Sequence, residues 1–140
     1  MKKKVEPKLI GGKTVEEWDR MWVKVPGGLT RHNSHLRASV GLYRLVLKGR
    51  TVAIGTGTDK GGGLAKRLSD FRRSSPSGRN HHAGRLIHEH LHALEVEVLV
   101  TGGRYEPQAA RRLRKPMIAR HQPAWTVPNP RAFRNNSRPD

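Results

Sequence analysis

The stretch from residue 104 to residue 120 holds the side chains best suited to a definite chemistry, the holding of phosphate. Arg104, Arg111, Arg112, Arg114, Lys115 and Arg120 lie there with Glu106 as the only carboxylate. On a helix, Arg111, Arg114 and Lys115 stand at i, i+3 and i+4 and make one cationic stripe. A stripe with so few acidic partners reads as a footprint for a polyanion. Arg72, Arg73, Arg79 and His82 form a second basic set, in which the histidine gains charge below pH 7. A third grouping is His81, His82, His88, His90 and His92. Its segment His88-Glu89-His90-Leu91-His92 fits the letters His-Glu-x-x-His of zinc hydrolases. Such a hydrolase also needs a third ligand and a buried apolar helix. The sequence offers no clear example of either, so a solvated or phosphate-facing histidine helix is expected.

Charge over the whole chain points the same way. The 140 residues carry 28 Lys and Arg against 11 Asp and Glu, a net charge of +17. An imbalance of this size repels itself in the folded state and attracts nucleic acid, ribosome or anionic membrane. No apolar run reaches the ~18 residues of a spanning helix, which makes membrane the weakest of the three. Lys2-Lys3-Lys4 is followed by Glu6, Pro7 and Lys8 rather than an apolar run, so no secretory leader is expected. The absence of cysteine removes disulfides and thiolate metal sites. A cytoplasmic or nucleoid-associated protein is the expectation.

The elements that must position these groups follow from periodicity. Apolar residues make up 34% of the chain, enough for one small core in its middle. Residues 1–14, lysine-rich with Gly11-Gly12, read as a loose arm. Thr14 with Glu17 has the form of a capping box for a helix over 14–22, with Trp18, Met21 and Trp22 on one face. Strands are expected over 40–47 and 51–55, joined by a turn at 48–50. A helix follows over 64–73 with Leu64, Leu68 and Phe71 inward, ended by Ser74-Ser75-Pro76-Ser77-Gly78. A second helix over 83–93 turns Leu86, His90 and Leu94 inward. The strand over 95–101 alternates clearly. The last helix, 106–120, carries Ala109, Ala110, Leu113 and Met117 at helical spacing and is threatened by Pro116. This order predicts an α+β domain with a three-stranded antiparallel sheet flanked by helices. Residues 1–37 form a basic extension with a short helix, 38–126 the domain, and 127–140 an extended or disordered basic tail.

Gly41-Leu42-Tyr43, then Ala53-Ile54-Gly55 ten residues on, then Lys66-Arg67-Leu68 and finally Gln122-Pro123-Ala124-Trp125 resemble the GIY-YIG nuclease superfamily over about residues 38–126. The resemblance implies a site with two motif tyrosines, a helical arginine, a metal-holding glutamate on a later helix and a downstream asparagine. Tyr43 and Arg67 match the first tyrosine and the arginine, and both motif glycines are kept. Ala53 replaces the second tyrosine, and Phe71 stands where many members carry His or Tyr. Arg114 falls at the glutamate position and Thr126 at that of the asparagine. A guanidinium in place of a carboxylate repels a divalent cation and offers a fork for phosphate oxygens.

The expected function is therefore nucleic-acid binding, DNA rather than RNA, on a catalytically impaired GIY-YIG-like scaffold without a cofactor. The contacts would come from Arg67, Arg72, Arg73, Arg79, His82, Arg111, Arg114 and Lys115. Two alternatives stay open. One is an active endonuclease using Mg²⁺ or Mn²⁺, with Tyr43 and Arg67 catalytic and Glu106 or Glu89 holding the metal. The other is a structural RNA or ribosome binder.

Overall fold

The structure is a computed structural model that describes residues 8–72 and 82–125. Among these residues the chain runs α1 (Val15–Asp19), β1 (Val23–Lys24), β2 (Ser39–Leu47), β3 (Arg50–Gly57), α2 (Gly63–Asp70), α3 (His82–Glu89), β4 (Glu95–Gly103) and α4 (Gln108–His121). Two 3₁₀ turns, Gly28–Thr30 and Ser34–Leu36, lie between β1 and β2. The strands form one antiparallel sheet in the order β1-β4-β2-β3. This is an α+β fold with four strands, not the expected three. The added strand pairs Val23 with Val98 and Lys24 with Glu97, and at two residues it is too short to show a period in sequence.

The centre of the sheet is a hairpin. Lys48 and Gly49, both at positive φ (51° and 79°), link Leu47 to its partner Arg50, as two-residue hairpin loops require. Alternation along the strands then divides the core. Tyr43, Leu45, Ala53, Val96 and Val98 pack with Leu64, Leu68 and Phe71 of the α2 region and Ile87 of α3. On the opposite face Leu42, Ile54 and Leu99 pack with Ala110, Leu113 and Met117 of α4. Pro116 stands inside α4 without ending it; Leu113 and Met117, both fully buried, hold the helix to the sheet on either side. Each such side chain contributes about 2 kcal/mol by burial, which offsets the lost hydrogen bond.

Three expectations change. The segment from Ile10 onward is not a loose arm, because Ile10 and Trp18 are buried against Leu42 and α4, and Trp18 Nε1 donates to the Ile10 carbonyl at 2.6 Å. Helix α1 has the Thr14–Glu17 capping box but stops at Asp19, so Met21 leaves the shared face and is 43% exposed. Helix α3 stops at Glu89, where the chain turns to enter β4. Ile87 and Leu94 are its buried anchors, Leu86 and His90 being only half-buried. His88 and His92 therefore do not share a helix face, and His92 is exposed.

A polar cluster ties the N-terminal segment to the end of α4. Asp19 accepts hydrogen bonds from Trp22 Nε1 at 2.9 Å and Arg120 Nε at 2.9 Å, and pairs with His121 Nε2 at 2.6 Å. Arg44 pairs with Glu97, lies 4.9 Å from the centre of the Trp22 ring and meets His121 at 3.3 Å. Burial pushes the Asp19 carboxyl up, but the hydrogen bonds from His121 and Trp22 and the charges around it prevail, leaving it below its usual value. A lowered carboxyl stabilises the fold above its unfolded value near pH 4, and that stabilisation fades as pH falls through the lower folded value. Asp19→Asn should thus cost about 2 kcal/mol at neutral pH. In urea melts taken across pH, the gap from the parent protein should narrow below about pH 4.

Candidate nucleic-acid interface

The site is set by how β2 and β3 pair. Tyr43 faces Gly55 across the hairpin, and the glycine leaves room for the phenol to lie over the neighbouring strand. A Cβ on Gly55 would fall 2.6 Å from Tyr43 Cζ. The ring then meets Phe71 edge-on, with centroids 5.3 Å apart at 69°. Arg67, one turn before Phe71, stacks its guanidinium 5.3 Å from the Phe71 ring centre, and its charge acts on the Tyr43 hydroxyl. Phe71, which cannot exchange a proton, serves here as the platform that aims the arginine.

Arg114 comes from α4, on the opposite face of the sheet, yet its charge acts on the same hydroxyl. β3 forms one edge of the sheet. Part of that edge is covered, as the Trp125 amide donates to the Val52 carbonyl at 2.8 Å and the Ala124 amide to Thr51 at 3.3 Å. Burial raises the Tyr43 hydroxyl above its ordinary value, against the pull of Arg67 and Arg114. The phenol is therefore neutral at physiological pH, and the charges of two cations act on it.

The structure brings Tyr43 and Arg67 together around Phe71, while Arg114 acts on Tyr43 only through its charge. Ala53, on the same face as Tyr43, is buried and leaves no second phenol. Arg111 and Lys115 are exposed on α4, and among the described residues no carboxylate pairs with them or with Arg67 and Arg114. Arg72 points elsewhere, donating to the Arg31 carbonyl at 2.6 Å and meeting His32 at 3.2 Å. His82 opens α3. Arg73, Arg79 and Thr126 lie outside the described residues, as do 1–7 and the 127–140 tail.

The donors around Tyr43 do not fit a divalent cation. Two guanidinium groups and a neutral phenol supply positive charge and hydrogen-bond donors where a metal needs anionic oxygen. Glu106 accepts from the Gly103 amide at 2.9 Å, at the Ser39 end of β2 rather than beside Tyr43. Glu89 is exposed at the end of α3. Among the described residues no three His, Asp or Glu side chains converge as ligands. No helix there is long and apolar enough to cross a membrane.

Tyr43 and Gly55 form a testable pair. Gly55→Ala should destabilise by about 2 kcal/mol through overpacking. In a double-mutant cycle with Tyr43→Ala, most of that penalty should vanish. Additive costs would mean that the ring does not occupy the space over Gly55.

No protein-family model, no curated protein and no solved structure matches this chain. The structure is a small α+β domain whose described surface carries Arg67, Arg111, Arg114 and Lys115 without carboxylate partners.

Proposed function

We propose that the protein binds nucleic acid, duplex DNA in preference to RNA, on a scaffold of GIY-YIG type that holds a phosphodiester without cleaving it. The observation that carries this reading is the set of exposed cations Arg67, Arg111, Arg114 and Lys115, which have no carboxylate partner among the described residues. A phosphate placed against these side chains meets guanidinium forks with no competing carboxylate. Hydrolysis would further need a group to take a proton from water and a stabiliser of the leaving oxygen. Tyr43, raised above its ordinary value, is a poor base at neutral pH. The stripe of Arg111, Arg114 and Lys115 extends the cationic surface along α4, and the net charge of +17 favours long-range attraction to any polyanion.

The test is supercoiled plasmid incubated with the protein in Mg²⁺, in Mn²⁺ and in EDTA, followed by nicking and gel-shift analysis. A salt-sensitive shift with intact plasmid in every lane is the expected result. Metal-dependent nicking that disappears in Arg67→Ala would make the protein an endonuclease instead. A shift seen only with structured RNA would favour the RNA-binding alternative.

A further inference from the structure

On the other side of α2 from Tyr43 lies a groove of about 520 Å³ between the helix and the loop that precedes β2. His32, Asn33, Arg37, Lys66, Ser69 and Arg72 contribute to its walls. Its shape depends on glycine. At Gly63, φ is +53° and a Cβ would come within 3.0 Å of the Arg37 carbonyl, while a Cβ on Gly62 would meet Lys66 Cβ at 2.5 Å. Arg72 holds the far wall by donating to the Arg31 carbonyl. Arg37 is exposed, with no acidic partner among the described residues. Lys66 is shared loosely between Asp59 at 4.0 Å and Asp70 at 3.5 Å.

Asn33 makes this more than a basic surface. It is the one buried polar or charged residue among those described, at 6% exposure. Its amide nitrogen donates to the Arg31 carbonyl at 3.1 Å, which fixes which end of the side chain is oxygen. That oxygen receives no hydrogen bond from the described residues, nor is it sealed away from solvent. Asn33 therefore carries a spare acceptor in a residue that lines the groove with Arg37 and Lys66. A ligand that satisfies both must present an anion and, a few ångströms away, an N–H or O–H donor. Inorganic phosphate has an O–H only on the anion itself, whereas a nucleotide unit adds a base or ribose donor several ångströms from its phosphate.

We infer that this groove is a binding subsite for a single nucleotide unit, its phosphate held by Arg37 and Lys66 and a base or ribose donor held by the Asn33 amide oxygen. The inference stands apart from the Tyr43 site, although a nucleic acid bound there could supply the unit. Titration of the ¹⁵N-labelled full chain with inorganic phosphate, with a 5′-mononucleotide and with a short oligonucleotide tests it. Saturable shifts of the Asn33 side-chain amide and of Lys66 are expected with the nucleotide, at least tenfold tighter than with phosphate. A mononucleotide that saturates assigns a free nucleotide as ligand; saturation by the oligonucleotide alone assigns a strand. Lys66→Gln should weaken binding about tenfold, as should Asn33→Ala, the exposed lysine covering the case in which the asparagine variant misfolds. Arg67→Gln with Arg114→Gln should leave the mononucleotide titration unchanged while weakening the duplex gel shift, so the two sites fail separately. Equal affinity for phosphate and nucleotide, or no saturable shift with any of the three, would overturn the assignment.

Discussion

Gly41→Ala is expected to be the most damaging single-methyl change in this domain, lowering stability by about 3 kcal/mol or more and the melting temperature by about 10 °C. Gly41 sits where the β2–β4 register shifts, and the two backbones approach so closely that a Cβ would overlap the Leu99 carbonyl oxygen. It would also lie 2.9 Å from the Leu99 carbonyl carbon and 3.0 Å from Val100 Cα. Backbone cannot rotate aside as a side chain can, so relief requires separating the two central strands. Gly61→Ala is the control. Its nearest contact would be the Asp59 carboxylate at 3.2 Å, with no positive φ to strain, and it should change stability by less than about 1 kcal/mol. Thermal melts of the two variants side by side decide the matter. Equal melting temperatures would mean that the close approach at Gly41 is relieved at little cost.

The same glycine shows what was legible in the sequence. Gly41, Tyr43 and Gly55 stand out as letters at a fixed spacing, and the fold uses them in two places: Gly41 for the close approach to β4, Gly55 for the space the Tyr43 ring fills. The hairpin, the last strand and α4 were readable because period-2 and period-3.6 patterns persist over whole elements in 40–47, 95–101 and 108–117. Strand β1 was not, since two residues have no period and their pairing is decided by β4 far along the chain. The buried role of Ile10 depends likewise on Trp18 and Leu42, which no local window contains. Helix α3 was drawn too long because His90, Leu91 and His92 carry no stop signal; the turn there is imposed by the need to reach β4. At the site, Tyr43 and Arg67 could be named from sequence. Phe71 read as a defect in the motif, whereas the fold uses it to seat Arg67. Asn33 and Arg37, in a polar loop without periodicity, carried no local signal, because their groove exists only once Gly63 lets that loop lie against α2.

Replacing Arg67 and Arg114 together by glutamine should weaken duplex binding about 100-fold, roughly tenfold for each charge-assisted contact removed. The slope of log affinity against log salt should fall by about 2, one for each phosphate no longer neutralised. Both side chains are exposed, so the fold should tolerate the change, and an unaltered melting curve checks that it does. Arg112→Gln removes equal charge from α4 outside the Arg111–Arg114–Lys115 stripe, and a diffuse charge effect would make it as harmful as either site variant. A focused site would leave it nearly silent. Arg114→Lys carries the argument one step further. Lysine keeps the charge and hence the salt slope, but it lacks the planar fork that grips two phosphate oxygens at once. Lost affinity at an unchanged slope would therefore locate a bidentate phosphate contact at Arg114. If Arg114→Lys binds as well as the parent, the arginine contributes only charge, and it is no more than one part of a broadly cationic surface.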